Sequence, residues 1–290
     1  MTLEFTERLV ASQAWLDGVS DRLQPIVLGA VAKLGRRGAD LLDGVWLGAP
    51  LHPVLTDVPI GTLTAAVILD AVGVATRSPT VARQADGALA ISVASSFAAA
   101  ATGLADWRYM RGKSRRIAAG HGLLNLAGLT LNATSLALRL GDRRGAGRMT
   151  AALGLATSGL AAHIGGELTF GMGVRVNPTA GTSGPSEFEP VLAESEAEGM
   201  EMRRVEVDGH AVLITRSVDG RLCAIADTCS HFGGPLAEGT RDGDTVICPW
   251  HGSRFDVCSG RVRGGPAVFP QPRFEVRARD GMIELRRARD

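Results

Sequence analysis

Hydrophobic positions along this chain follow two patterns that meet near residue 174. Between residues 54 and 170 lie four long, weakly hydrophobic runs: VPIGTLTAAVILDAVGVAT from Val58, GALAISVASSFAAAATGLA from Gly87, IAAGHGLLNLAGLTLNATSLAL from Ile117 and MTAALGLATSGLAAHIGG from Met149. Each approaches the roughly 20 apolar residues that a helix needs to cross a bilayer core. Asp70 is the one formal charge inside them. No polar face repeats at helical spacing, as a soluble Ala-rich bundle would require. Frequent Gly, Ser and Thr suit close packing between membrane helices. The pattern predicts an all-α four-helix transmembrane bundle over 54–173, wound as two hairpins. Ahead of it, within 1–53, Phe5, Leu9, Leu16, Val19 and Leu23 recur at helical spacing among charged residues. That segment reads as a helix packed on the bundle or lying in the membrane interface.

After Gly173 the pattern changes. NPTAGTSGPSEFEP marks a linker by composition, placed over 174–185. MRRVEVDG, HAVLITRSVDG and RLCAIAD then alternate or run apolar over short stretches, and PRFEVRARDGMIELRR reads as a terminal hairpin with Asp280-Gly281 at its turn. Residues 186–290 are expected to form an all-β domain, which makes the chain multidomain.

Charge adds a topology. The net charge is +1, from 31 Lys and Arg against 30 Asp and Glu, so no basic footprint points to nucleic acid. Lys33 and Lys113 are the only lysines. The loop after the second run carries Arg108, Arg111, Lys113, Arg115 and Arg116, whereas the opposite connections carry Arg77 and Arg83, and Arg143, Arg144 and Arg148. This basic excess places the second loop and both termini in the cytoplasm, with the β-domain on the cytoplasmic side of the membrane. MTLEFTERLV has no basic region followed by an apolar run, so no cleavable signal peptide is expected.

The chemistry is concentrated in CSHFGG, 229–234, and CPWHGSRFD, 248–256. Each loop offers one cysteine and one histidine: Cys229 and His231, then Cys248 and His251. Two thiolates and two imidazoles suit zinc or an iron-sulfur cluster. A common zinc finger puts both cysteines on one hairpin and both histidines on a helix, unlike the order here. CSHFGGPLAEG, CPWHGSRFDVCSG and GGPAVFP from Gly264 resemble the Rieske [2Fe-2S] domain, over about residues 186–290. The resemblance implies that Cys229 and Cys248 bind the inner iron and His231 and His251 the outer one. It also implies that Trp250, Ser253, Phe255 and Pro266 surround the cluster. Cytochrome bc-type members carry a disulfide beside the cluster, and Gly234 and Trp250 stand in its places. Ser253 matches the serine that hydrogen-bonds a bridging sulfide, while Phe255 replaces the partner tyrosine. One donor kept and one lost implies a low-to-middle potential, closer to ferredoxin-type members. Cys223 and Cys258 are read as structural residues without a partner.

LHPVLTDVPIG from Leu51, followed by four helices, resembles a family of uncharacterised bacterial membrane domains, which brings no activity with it. The remaining histidines are His52, His121, His163 and His210. None forms the spaced pair of a mononuclear iron site, and no large catalytic domain remains, so an oxygenase catalytic subunit is not expected. The expected function is membrane-anchored electron transfer, as a component of an oxidoreductase system. Alternatives are a redox sensor or assembly factor, and an oxidoreductase holding haem as well as [2Fe-2S]. His52, His121 and His163 fall toward one end of the bundle, as intramembrane ionisable groups at a functional site would. That makes His121 and His163, with His52 next, candidate axial ligands of a haem b. Expected partners are a redox protein or quinone and the lipid bilayer, in a membrane complex or homo-oligomer.

Overall fold

A computed structural model of the chain describes residues 10–197, 199 and 201–288. Phe5 and Leu9 lie outside the described residues. The chain packs as two compact units. One comprises the residues up to Gly35 together with Leu51–Val174; the other joins Arg36–Pro50 to Arg175–Asp290.

The first unit is helical. Helix α1 (Trp15–Lys33) is followed by α2 (Gly35–Asp43), which opens the excursion into the second unit. The bundle consists of α3 (Leu51–Thr76), α4 (Pro79–Trp107), α5 (Gly112–Leu140) and α6 (Arg144–Gly166). Each hairpin packs on itself, α3 on α4 and α5 on α6, and the two join through α4 with α5 and α3 with α6. Ser78 starts α4 sharply: its Oγ accepts from the Val81 N–H at 3.4 Å, and Pro79 occupies the first turn, where its missing N–H costs nothing. On α1, Leu16 is buried but Leu23 is exposed. The helix is held to the start of α5 by ion pairs of Asp17 with Arg116 and of Asp21 with Arg115, the latter at 2.7 Å.

Three bundle helices, α3, α4 and α5, are long and apolar enough to cross a membrane. Only 28% of the apolar stretch in α3 and α4, and 22% in α5, is buried within the protein. The outward surface is instead Val54, Ile60, Ile68, Val72, Ile91, Phe97 and Leu126, all exposed. Outward hydroxyls are satisfied locally: Thr62, Thr64, Thr76, Thr130 and Thr134 each donate to the carbonyl four residues back at 2.7–2.9 Å. That is what a hydroxyl facing lipid requires. Helix α6 completes the bundle as its fourth helix, although Ser, Thr, four glycines and His163 within 149–166 leave its run less apolar than the other three.

At the end of the bundle away from the basic loop, charges are paired in the interior. Arg139, with 1% of its side chain exposed, donates to both oxygens of Asp70 and reaches Asp86 at 3.0 Å. Arg144 also binds Asp86, and Arg148 lies 3.4 Å from Asp70. The two hairpins place these groups at equivalent points. His121 follows His52 by 69 positions and Arg139 follows Asp70 by 69; Ala161, Gly165 and Arg148 follow Ala99, Gly103 and Asp86 by 62. The first hairpin supplies the acids and the second the bases.

The second unit is β-rich. Its six-stranded antiparallel sheet has the order β1 (Glu189–Ala193), β10 (Met282–Arg287), β9 (Arg273–Arg279), β4 (Leu222–Ala226), β3 (His210–Arg216) and β2 (Met202–Val207). A four-stranded sheet runs β5 (Thr240–Asp242), β6 (Thr245–Ile247), β7 (Arg254–Asp256) and β8 (Val262–Gly264). The expected hairpin turn at Asp280-Gly281 is present, both residues having positive φ, as a two-residue turn of this hand requires. Leu213, Ile225, Leu236, Val246, Phe255 and Val257 form one core together with Cys229, Cys248 and Ala267, so the residues of the two loops are seated in the hydrophobic interior.

Cys223 and Cys258 do have a partner: each other. They form a disulfide, Cα–Cα 4.8 Å, from β4 to the turn after β7. It closes a loop of 35 residues that contains both Cys–His loops. Cys223→Ser is expected to cost roughly 2–4 kcal/mol, through the chain entropy regained by the unfolded state. Guanidinium-driven loss of the cluster's visible absorption in the full-length protein measures it. An unchanged midpoint would show that the bond contributes nothing.

Candidate iron-sulfur site

The two loops share one backbone design. In the first, Cys229 N–H donates to Gly234 O at 2.8 Å and Gly233 N–H returns to Cys229 O at 2.8 Å. In the second, Cys248 N–H donates to Ser253 O at 2.8 Å and Gly252 N–H to Cys248 O at 3.1 Å. Gly233 and Gly252 take φ of 80° and 76°, a conformation that favours glycine. The same turn thus presents a cysteine at its start, with the histidine two residues later in one loop and three in the other.

Cys229 and Cys248 are buried and carry free thiols. The hydrogen bond between the two thiols pulls their titrations apart. Cys248 accepts from Cys229 and falls to about 7, helped by the backbone N–H groups of Trp250 and His251. Cys229, the donor, is raised, and burial raises it further. Two buried sulfurs beside inward-facing N–H groups offer a cation a pair of soft ligands. The imidazole rings of His231 and His251 stand 5.1 Å apart at 89°. His231 is buried, with Phe232 edge-on at 4.4 Å, while His251 is half-buried beside the exposed Trp250. A soft pair of thiolates and a pair of imidazoles on adjacent loops is the donor set of a mixed-ligand [2Fe-2S] centre, and the residues fit it.

A Cβ at Gly234 would come within 2.9 Å of Cys248 Sγ and 3.0 Å of the Trp250 ring. The two places where other members carry cysteines are therefore neighbours here too, filled by an indole against a glycine. Ser253 is fully buried; its Oγ accepts from Ala267 N–H at 3.1 Å and also hydrogen-bonds Cys229. Phe255 is part of the core between the sheets, with no exposed surface. Ser230 Oγ donates to Phe269 O at 2.7 Å, tying the first loop to the segment after Pro266.

One feature had no sequence signal. Residues 36–50 pack on the Gly264–Ala267 loop. Asp40 Oδ1 accepts from Gly265 N–H at 2.8 Å, and Arg175 bridges Pro266 O at 3.0 Å and Asp43 O at 2.8 Å. Gly265 is required there, since a Cβ would lie 2.9 Å from Val45 and 3.1 Å from both carboxylates.

In the helical unit the structure brings together His52 and His121, not His121 and His163. The first two rings lie 6.4 Å apart, while His163 is exposed on the outward side of α6. His210 Nε2 accepts from the Ser183 N–H at 3.3 Å.

Comparison with known proteins divides the chain in the same way. The description "Rieske [2Fe-2S] domain" matches residues 187–275, and "Predicted membrane protein (DUF2231)" matches residues 48–178. Ferredoxin CarAc of Metapseudomonas resinovorans is 39% identical over 93 residues, covering 32% of this chain and 87% of that protein. The ferredoxin component of the p-cumate 2,3-dioxygenase system of Pseudomonas putida is 38% identical over 88 residues, covering 30% of this chain and 74% of its own length. Apoptosis-inducing factor 3 of Mus musculus is 30% identical over 89 residues, which is 31% of this chain but 14% of that protein. This chain belongs to the Rieske [2Fe-2S] family, its ferredoxin-like domain joined to a DUF2231 membrane domain.

Proposed function

We propose that this chain is a membrane-anchored Rieske electron-transfer protein, in which Cys229 and Cys248 hold one iron and His231 and His251 the other. The supporting observation is the pair of loops built to one backbone pattern, which delivers two buried thiols and two adjacent imidazoles. When bound, a cluster with this mixed ligation supplies a one-electron couple at a potential above all-thiolate centres. The protein's part is to bury the cysteines and to leave an edge at His251 and Trp250. That edge is where a redox partner protein would dock. The ferredoxin components of dioxygenase systems among its relatives support a partner of the reductase or oxygenase class. The bundle would hold the domain at the bacterial inner membrane, near a membrane partner or quinone.

The basic loop between α4 and α5 supports a cytoplasmic cluster domain. One observation favours the opposite face: the Cys223–Cys258 disulfide belongs to an oxidising compartment. A reporter fused after Asp290 decides between them, and the cytoplasmic arrangement predicts activity of a cytoplasmic reporter alone. Rapid single-electron reduction of the reconstituted protein by a soluble ferredoxin reductase tests the carrier role. A cluster that binds but neither accepts nor passes electrons on the timescale of turnover would leave a sensor or assembly factor.

A further inference from the structure

We propose that the helical unit binds a second redox cofactor, a b-type haem, with His52 on α3 and His121 on α5 as its two axial ligands. The two helices are not neighbours in the bundle; each packs on α4 and α6, and their part-buried histidine rings approach each other. Their ring centres are 6.4 Å apart and their planes stand at 89°. An imidazole nitrogen bonds a metal at about 2.0–2.1 Å, so two imidazoles on opposite sides of one metal stand roughly 6 Å centre to centre. The observed spacing fits two ligands sharing one atom.

The tautomers agree with that role. His52 Nδ1 lies 2.9 Å from Ala99 O, and His121 Nδ1 lies 2.8 Å from Ala161 O. A carbonyl only accepts, so each Nδ1 carries a hydrogen and Nε2 is the basic nitrogen. Metal-bound histidines are oriented by this kind of second bond. On His121 the Asn125 amide, on an exposed side chain, lies 3.1 Å from Nε2 and is the group a metal would displace.

Both rings are seated in the same way. A Cβ at Gly103 would come within 2.8 Å of His52 Cε1, and one at Gly165 within 3.0 Å of His121 Cε1. In each hairpin the carbonyl acceptor is an alanine and the glycine follows it by one helical turn. Each ring is bonded to a carbonyl within its own hairpin, and the two rings also converge on each other.

The ligand count selects the cofactor. A bare transition metal ion held by protein alone takes about four ligands, and the two converging rings supply two. A porphyrin supplies the equatorial nitrogens and needs only axial ligands, and interiors of helical bundles accommodate it. This inference stands independently of the cluster ligands.

The full-length protein, purified in detergent from cells supplied with a haem precursor, tests it by pyridine haemochrome assay and iron count. The expected result is one haem b per chain, with a low-spin spectrum and about three iron atoms against about two for the cluster alone. His52→Ala and His121→Ala should each lower bound haem at least tenfold, while His163→Ala retains it. The cluster's paramagnetic signal in each variant reports folding. Should the alanine variants fail to accumulate, His52→Met and His121→Met serve instead, and are expected to hold haem with an altered spectrum. A Soret band without cluster signal would leave this inference standing and count against the carrier reading. A full cluster complement with no Soret band after added hemin overturns it, as does haem lost in His163→Ala but kept in His52→Ala.

Discussion

Cys248→Ala is expected to abolish the cluster, with loss of the visible absorption and of the paramagnetic signal of the reduced protein. Cys248 is buried, its sulfur sits among the N–H groups of Trp250 and His251, and the loop that holds it is closed at both ends by backbone hydrogen bonds. No neighbouring side chain can take its place as a soft ligand, because the other cysteines are Cys229 in the first loop and the disulfide pair. His231→Cys separates ligation from charge. A thiolate there keeps a four-ligand set but adds a negative charge, so the cluster should remain with its potential lowered by roughly 100 mV or more. Redox titration monitored by paramagnetic resonance measures both variants. Two irons and two sulfides per chain retained in Cys248→Ala would refute the ligand set, and a raised potential in His231→Cys would refute its electrostatic account.

Arg139→Met is expected to destabilise the helical unit by roughly 3 kcal/mol, the lower end of the range for breaking a buried ion pair. The side chains of Asp70 and Arg139 are 7% and 1% exposed, so the remaining carboxylate cannot recover its solvation from water. The loss stays at the lower end because Arg148 remains 3.4 Å from Asp70 and Arg144 remains on Asp86. Removing both partners, as Asp70→Leu with Arg139→Met, should recover most of the loss, since an apolar pair leaves no orphaned charge. Loss of helical signal on titration with a denaturing detergent gives the comparison. A double variant no more stable than the single one would show that the pair acts by shape rather than charge.

Much of this architecture is written locally. The β-hairpins announce themselves by alternation and Asp-Gly turns, and the Cys–His loops by glycines at fixed offsets from the ligands. The membrane helices are visible because their outward faces are as apolar as their cores, although α6 falls short. What the sequence hides depends on direction and distance. Counting residues along α5 and α6 gives depth in the bundle but not which way a ring points, so His163 reads like His121 although it faces outward. Cys223 and Cys258 are 35 residues apart, on a strand and a turn, and neither carries a local mark of the other. Residues 36–50 have no periodicity of their own that predicts packing on Gly265; Asp40 matters through one backbone N–H more than 200 residues away.

The charge cluster of the bundle also sets an order of biogenesis. Asp70 and Asp86 belong to the hairpin synthesised first, whereas Arg139, Arg144 and Arg148 all come later in the chain. Until the second hairpin leaves the insertion machinery, the first lacks the three cations that neutralise it, and uncompensated carboxylates in a membrane helix are costly. Completion of the domain is thereby tied to arrival of its second half.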